Sequence, residues 1–282
     1  MKALSGSDKK YRVLGFSSKQ CNLLSWRSTR GALRGLRSED VVVFCSAISR
    51  LRENSYRAMT QNIQMAYHLA EVLRERPVAQ VVFLSTIDVY GCKKRRTLKN
   101  KDIISEHSSL HPDDPYSLSK VASEMLLQQQ AEKLKVPLVI LRLPGVYGPG
   151  DGGRSLVSTL IHQAEKFRKI SVHGSGRILR NYVFIDDVVQ AVFNVIEKKV
   201  SGVLNIVSPR SYTILEIAKM VRLVLNVKVP VECQKKGFAE GLRTRSIVCA
   251  NLHLRKVLPG LKMHDLNEGI RQYAGRSHNK NY

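Results

Sequence analysis

Two apolar runs, with a predicted helix between them, dominate the pattern of hydrophobic and polar positions. Residues 80–86 and 136–142 have the length and branched content of buried strands, and residues 114–134 predict the helix. Shorter elements surround them: strands are predicted at 11–16, 41–47, 170–172 and 203–207, and helices at 53–75, 155–167 and 187–197. This alternation of strands and helices indicates an α/β fold with a parallel sheet.

Three polar side chains lie where the two strands and the helix are expected to meet. Thr86 ends the first apolar run, while Tyr116 and Lys120 are four residues apart and so share one face of the helix. Because open α/β sheets bind ligands at the carboxyl ends of their strands, we expect the three groups to lie together. A Tyr-x-x-x-Lys pair also occurs by chance on half-exposed helix faces, so it is the order of the strands around it that favours catalysis.

This trio suits proton transfer to and from a hydroxyl group. A phenol titrates near about 10, and lowering its pKa to about 7 takes on the order of 4 kcal/mol, of which a neighbouring ammonium supplies part. Thr86 would orient a substrate hydroxyl, Tyr116 would be the acid/base, and Lys120 would tune it. Hydride transfer would need a nicotinamide, because no side chain does that work.

Five stretches in a fixed order carry a resemblance to a known family. They are residues 84–91, Tyr116-x-x-x-Lys120, residues 141–150, residues 180–187 and residues 202–206. Over roughly residues 11–275, the chain resembles the extended short-chain dehydrogenase/reductases, which include nucleotide-sugar epimerases and dehydratases. The resemblance implies a Rossmann-like, doubly wound parallel sheet with a small, interleaved C-terminal substrate lobe. Residues 1–150 would bind the dinucleotide, with further strands from about 180–207, and residues 151–282 would form most of the substrate lobe and the C-terminal helices.

The glycine-rich turn of that family is missing from the pattern. The strand predicted at 11–16 would be the second of the fold, and the ten residues before it contain one glycine, Gly6. The turn would normally hold the cofactor pyrophosphate at a helix N-terminus. Three explanations remain open: a misplaced start codon, a truncation with loss of activity, or a partner or rearrangement that supplies the site. We favour the first.

The resemblance implies a nicotinamide cofactor, NAD or NADP. Ser17, Ser18 and Lys19 follow the 11–16 strand where an acidic residue would select NAD, so they favour NADP. A plain polar loop is the alternative, and a buried structural role is the alternative for Asn62. The implied cofactor-binding residues are Ser17, Lys19, Asn22, Ser46, Ala47, Asn62, Ser85, Tyr116, Lys120, Leu143 and Val146.

The residues after Thr86 bear on the type of reaction. Sugar 4,6-dehydratases of this family carry Asp-Glu directly after the threonine, and this chain has Ile87 and Asp88. Ile87 is not an acid, so the pattern favours an epimerase that passes through a transient ketone. A ketoreductase or dehydratase on the same scaffold, or a non-catalytic protein that binds sugar nucleotides, are the alternatives. Asp88 is read as a structural carboxylate rather than a base.

The charge of the chain is compatible with an anionic substrate. The net charge is +23, and the densest positive run is Lys93 to Lys101, in a predicted loop. By resemblance, Arg180 meets the substrate pyrophosphate, where a guanidinium fork matches the oxygens, and Arg245 or Arg243 makes a second contact. No nucleic-acid motif is present and aromatic residues are few, so nucleic acid is not the expected partner.

The remaining features predict a reduced, cytoplasmic enzyme. The cysteines are odd in number and show no metal or redox spacing, and the histidines form no ligand cluster, so no metal is expected. Cys45 is predicted to be a small core residue. No apolar run reaches the length of a membrane span. The resemblance implies a homodimer that forms through the helices at 53–75 and 114–134.

Overall fold

The computed structural model describes residues 11–91, 103–234 and 246–278. The helices are α1 (Trp26–Ala32), α2 (Tyr56–Glu75), α3 (Pro115–Leu134), α4 (Leu156–Lys166), α5 (Ile185–Glu197), α6 (Ile214–Val224), α7 (Leu252–Val257) and α8 (Leu266–His278), with a 3-10 turn, η1, at Ile87–Tyr90. The strands are β1 (Val41–Phe44), β2 (Gln80–Thr86), β3 (Ile103–Ile104), β4 (Leu138–Leu143), β5 (Gly145–Tyr147), β6 (Ile170–His173), β7 (Leu179–Arg180), β8 (Tyr182–Phe184), β9 (Gly202–Asn205), β10 (Tyr212–Thr213), β11 (Val231–Gln234) and β12 (Val248–Cys249).

The chain divides into two compact units, each built from separate stretches. Unit 1 takes its described residues from Met1–Lys93, Glu106–Arg142 and Val189–Asn205, and unit 2 takes them from Lys94–Ser105, Leu143–Val188 and Ile206–Tyr282. The assignment of dinucleotide binding to residues 1–150 and of substrate binding to residues 151–282 stays a prediction.

Unit 1 contains a four-stranded sheet in the order β1-β2-β4-β9. β1 is parallel to β2, with Val41 opposite Gln80, and β4 is parallel to β9, with Val139 opposite Gly202. The strands are almost continuous runs of branched apolar residues because both faces of a parallel sheet are covered. Helices α2 and α3 pack together, and their apolar faces meet the strands in one core. The predicted α/β fold with a parallel sheet is therefore confirmed.

The start of helix α3 is determined by its capping residue and by a proline. Asp114 caps the helix, its carboxylate accepting the backbone N–H of Ser117 at 2.7 Å, and Pro115 occupies the first helical position, where no N–H is needed. The Ser117 hydroxyl in turn accepts the backbone N–H of Asp114. This capping box fixes Tyr116 in the first turn of the helix and Lys120 one turn later.

Two expectations for the first part of unit 1 are wrong. Residues 11–16 do not form a strand, and Val13, Leu14 and Phe16 are exposed by 37%, 66% and 47%. A strand needs a partner for its backbone groups, and among the described residues β1 is the edge of the sheet on this side. Cys45 is not a core residue: β1 ends at Phe44, and the thiol beyond it is exposed.

Unit 2 is a set of short strand pairs around its own core. Within it, β5 pairs with β8 and β6 with β11, both in parallel, while β7 pairs with β10 in antiparallel fashion. The core includes Leu160, Ile170, Phe184 and Ile217. A capping box opens α6: the Thr213 side chain accepts the N–H of Glu216, and the Glu216 carboxylate accepts the N–H of Thr213.

The start of α5 differs from the prediction. The helix begins at Ile185, before the predicted start at 187, and the carboxylate of Asp186 in its first turn pairs with Arg276 at 2.8 Å. The next residue, Asp187, binds the ring and the backbone N–H of His264. These contacts tie the segment before α8 to α5. No helix among the described residues is both long and apolar enough to cross a membrane.

Candidate active site

The carboxyl end of β2 provides the hydroxyl of the predicted trio. Thr86 is the last residue of the strand and is 7% exposed. Its side chain accepts the backbone N–H of Asp88 at 3.2 Å and so caps η1. The chain turns sharply here, so Thr86 lies at the carboxyl end of the parallel strands, where such sheets bind ligands.

Lys120 is buried beside the same strand. Its side chain is 4% exposed, its Nζ donates to the Leu84 carbonyl at 2.8 Å, and it lies 4.7 Å from the centre of the Phe83 ring. Burial lowers the pKa of Lys120 to about 8, although the charge of Glu124 acts in the opposite direction. The amine is therefore held against β2, two residues before Thr86, and is mainly an ammonium at pH 7.

Tyr116 is joined to the end of β2 through an arginine. The Arg50 guanidinium lies 5.8 Å from the centre of the Tyr116 ring, pairs with Asp114 at 2.9 Å, and forms an ion pair with Asp88, whose backbone N–H binds Thr86. The pKa of Tyr116 is raised to about 12, mainly by burial and in addition by the charges of Asp88 and Asp114, while Arg50 acts in the opposite direction. At neutral pH the phenol is protonated, so it is ready to act as a proton donor.

Besides Lys120, two of the predicted cofactor contacts, Asn62 and Ser85, are buried and already have protein partners. The Asn62 amide accepts the N–H of Ile48 at 2.7 Å, donates to the Ile48 carbonyl at 3.1 Å, and donates to the Ser119 hydroxyl. These bonds fix the segment after β1 against α2 and α3, which favours the structural interpretation of Asn62. The Ser85 hydroxyl donates to the Glu124 carboxylate.

The predicted contacts for the rest of the cofactor lie on exposed loops. Ser17, Lys19, Asn22 and Ser46 are exposed, and Ala47 is partly buried. The bonds of Ser17 and Asn22 are local: Ser17 Oγ donates to Gln20 at 2.9 Å, and the Asn22 side chain accepts the N–H two residues further on. Their role toward a cofactor stays a prediction.

Three of the remaining predicted residues belong to unit 2. Leu143, Val146 and Arg180 are partly buried there, and the Arg180 guanidinium donates to the Leu179 carbonyl at 3.0 Å. Arg245, together with Arg243 and the basic run Lys93 to Lys101, lies outside the described residues.

Sequence reasoning missed three charged residues of this region: Arg50, Glu124 and Arg142. Glu124 follows Lys120 by four residues, so helical spacing was a signal that could have identified it. Arg142 lies in the stretch 141–150 that carries the family resemblance, but that stretch did not indicate a partner for its side chain. Arg50 left no local signal, because its carboxylate partners are 38 and 64 residues away.

The donor set suits the nicotinamide end of a dinucleotide. A buried ammonium, a phenol and a threonine hydroxyl lie around the carboxyl end of β2, where hydroxyl groups of a ribose and of a substrate would find donors and acceptors. Before Val41, the described residues contain no strand that turns through glycines into a helix, which is the arrangement predicted for the pyrophosphate. Among the described residues, Thr86, Tyr116 and Lys120 are therefore the groups that would meet the nicotinamide end of a dinucleotide.

Comparison with known proteins agrees with this description. The model of the NAD dependent epimerase/dehydratase family matches residues 3–207. The chain is 30% identical over 193 residues to the dTDP-D-glucose 4,6-dehydratase of Dictyostelium discoideum, a match that covers 64% of this chain and 44% of the dehydratase. It is 29% identical over 206 residues to the dTDP-4-dehydro-6-deoxy-D-allose reductase of Streptomyces bikiniensis, covering 70% of this chain and 63% of the reductase. The matches therefore span only about half of these relatives.

Solved structures show the same fold. The structure is similar to that of UDP-glucose 4-epimerase from Thermotoga maritima, with a TM-score of 0.77 and 23% identity, over 91% of this chain and 82% of the epimerase. Structures similar to this one were determined with NAD or with NADPH. At this level of identity the similarity establishes the Rossmann-like fold.

Proposed function

Because the chain belongs to the NAD dependent epimerase/dehydratase family, we propose that it is a nicotinamide-dependent enzyme that acts on a nucleotide sugar. The proposed reaction is epimerisation: a sugar hydroxyl is oxidised to a transient ketone, and the ketone is reduced again from the other face. The cofactor is NAD or NADP, and the exposed Ser17 and Lys19 favour NADP. A nicotinamide held there would supply the hydride acceptor and donor that no side chain provides.

The residues of unit 1 handle the proton. Thr86 hydrogen-bonds the reacting hydroxyl and orients it, and Tyr116 takes its proton on oxidation and returns one on reduction. Lys120 would hold the ribose of the cofactor, and its ammonium adds a positive charge to the site. Because the pKa of Tyr116 is raised to about 12, mainly by burial, a positive charge such as that of an oxidised nicotinamide would favour the phenolate.

The ion pair between Asp88 and Arg50 is the observation that favours epimerisation over dehydration. A dehydratase needs a free acid and base next to the threonine, and this chain has Ile87 and a carboxylate bound by a guanidinium. Arg50 also binds Asp114 at the start of α3, so Asp88 serves to join two elements. Tyr116 and Thr86 remain as the groups for proton transfer, which is the set that epimerisation requires.

Net reduction of a keto sugar is the second candidate. It uses the same three residues and differs in whether the ketone enters from solution. The reductase relative supports it, because that match covers more of this chain than the dehydratase match does. The preference for NADP that Lys19 suggests is typical of reductive enzymes.

The substrate is proposed to be recognised through its diphosphate. Arg180 of unit 2 is the proposed contact, because a guanidinium matches phosphate oxygens in a bidentate manner. The net charge of +23 adds a long-range attraction for such an anion.

A homodimer is proposed to form through α2 and α3. Tyr67 on α2 and Leu118 and Met125 on α3 are 50%, 43% and 58% exposed, and the latter two are seven residues apart on one helical face. Light scattering on the purified protein tests this proposal, with Met125→Glu expected to shift a dimer toward monomer. A wild-type protein that is monomeric at all concentrations would contradict it.

Mass spectrometry of the products tests the proposed reaction. The protein is incubated with UDP-glucose or dTDP-glucose and with NAD or NADP. An epimerase gives an isomer of equal mass, which chromatography before the mass spectrometer separates from the substrate, and a dehydratase gives a product lighter by one water. Net reduction would instead consume NADPH when a keto sugar nucleotide is supplied. We expect an isomer that Tyr116→Phe abolishes and Tyr56→Phe, a change at an exposed tyrosine, leaves unaffected. Cofactor and substrate binding without any product would instead indicate a non-catalytic binding protein.

A further inference from the structure

A buried ion pair lies next to the catalytic residues but takes no part in the reaction as proposed above. Glu124 and Arg142 are 3% and 5% exposed, and they meet through two bonds, of 2.6 Å at Nη2 and 3.1 Å at Nε. Two charges removed from water in this way are costly unless every group is satisfied. Because a buried ion pair is often no more stabilising than apolar residues of the same size, stability alone does not explain this pair.

The pair is extended by hydrogen bonds across the carboxyl edge of the sheet. Arg142 Nη1 donates to the Tyr90 hydroxyl at 2.8 Å, and that hydroxyl donates to Asn205 at 2.8 Å. The backbone N–H of Asn205 donates to Glu106 at 2.7 Å. Residues from β4, β9 and η1 are therefore connected to helix α3 through Glu124.

Two further hydrogen bonds connect helix α3 to consecutive residues of β2. Lys120 donates to the carbonyl of Leu84, and Ser85 donates to the carboxylate of Glu124, one helical turn further along. The next residue of the strand is Thr86. The position and charge of Glu124 thus fix how the turn that carries Lys120 lies against the strand that ends in Thr86.

We propose that Glu124, held by Arg142, is a positioning residue that keeps Lys120 charged and its helix in register with Thr86. The proposal rests on the proposed function, because Lys120 is taken to act as an ammonium. Among the described residues, the ionisable groups that act on Lys120 are Glu124, on its own helix, and Cys45, after β1. From β2 it meets a ring and a carbonyl, and Arg142 of β4 is occupied by Glu124.

The electrostatics support this assignment. Burial lowers the pKa of Lys120 to about 8, and the carboxylate of Glu124 is the main charge that opposes the change. Without that carboxylate the pKa of Lys120 would fall further. A larger fraction of the lysine would then be neutral at physiological pH.

The test is a pH titration of Lys120 by NMR of the full chain labelled with ¹³C-lysine, with the Lys120 signal assigned through Lys120→Arg. In wild type the midpoint is expected at about 8. Glu124→Gln is expected to lower the midpoint by about one pH unit. Glu132→Gln is the matched control, since it removes the same charge from an exposed position on the same helix, and it should leave the midpoint unchanged.

A second variant distinguishes a change in the pKa of Lys120 from a loss of the fold. Glu124→Gln leaves Arg142 buried without its counter-charge, whereas the double change Glu124→Gln with Arg142→Met removes both charges, which folded proteins commonly tolerate. Its midpoint is compared with that of Arg142→Met, from which it differs only by the Glu124 carboxylate, and is expected to be the lower of the two. Equal midpoints in these two variants would mean that the pair serves structure alone and would overturn the proposal. Because no ligand is needed, failure of the proposed function would not produce that result.

In a working enzyme, the proposal also predicts the pH profile. The alkaline limb of kcat/KM should move to lower pH in Glu124→Gln and stay in place in Glu132→Gln. Lost stability alone would lower the amount of active enzyme at every pH and would not move the limb.

Discussion

Two parts of the predicted cofactor site in unit 1 are built in contrasting ways. Around Lys120, buried side chains from β2, α3 and β4 bind one another across long sequence distances. Between Ser17 and Asn22, the side chains are exposed apart from Cys21, and those of Ser17 and Asn22 make hydrogen bonds within a few residues. Buried polar groups are costly unless they have partners, so the first part permits few substitutions. The second part is free to vary, and it is where the proposed preference for NADP over NAD would be set.

The largest expected effect comes from the phenol in the buried part. Tyr116→Phe removes the hydroxyl and keeps the ring that Arg50 covers, so the fold should be retained. We expect turnover to fall by about 10²–10⁴-fold, which is typical for loss of a general acid/base. Steady-state kinetics with the nucleotide sugar identified by product analysis would measure it. A fall of less than threefold would assign proton transfer to another group.

The next effect contrasts a buried ion pair with an exposed one. Arg142→Met leaves the Glu124 carboxylate buried and unpaired, and we expect a loss of about 3–5 kcal/mol in the free energy of unfolding. Arg74→Met breaks an exposed pair with Glu71, in which the arginine side chain is 59% exposed, and should cost less than about 1 kcal/mol. Urea denaturation compares the two. Equal losses would show that the Glu124–Arg142 pair is not desolvated in solution.

Lys120 should also make stability depend on pH. Its pKa is lowered to about 8 in the folded chain from an ordinary 10.5, so between these values the unfolded state binds more protons. The contribution of Lys120 to stability therefore rises with pH in this window, by on the order of 2–3 kcal/mol. Wild type and Lys120→Met are compared by urea denaturation at pH 7.5 and pH 10. A stability difference that is the same at both values would mean that the lysine is not desolvated.

The exposed part of the site should give the smallest effect. Lys19→Glu replaces a base at the position where a 2′-phosphate is expected. We expect the Kd for NADPH to rise about tenfold, because the change removes one exposed contact to the phosphate and adds a carboxylate that repels it. The Kd for NADH should stay within about twofold. Fluorescence titration with both cofactors measures this. Equal changes for both would place Lys19 away from the ribose.

The difference between the two parts also explains what could be predicted from the sequence. Strand β2 and helix α3 follow from an apolar run and from a capping box with proline, which are local signals, and they place Thr86, Tyr116 and Lys120. Residues 11–16 have the composition of a strand, but a strand depends on a neighbour that composition does not supply. The role of Arg50 depends on carboxylates that only the fold brings to it, and no local pattern indicates such a contact.

The central claim is that Tyr116 and Lys120 form the nicotinamide part of a working site, and one titration tests it most directly. The full chain is titrated with NADPH and with NADH, and the enhancement of nicotinamide fluorescence is followed. We predict saturable binding that the double change Tyr116→Phe with Lys120→Met abolishes and that Tyr56→Phe with Glu132→Gln preserves. A folded wild-type chain that gives no saturable signal with either cofactor, or binding that the first pair of changes leaves intact, would contradict the claim.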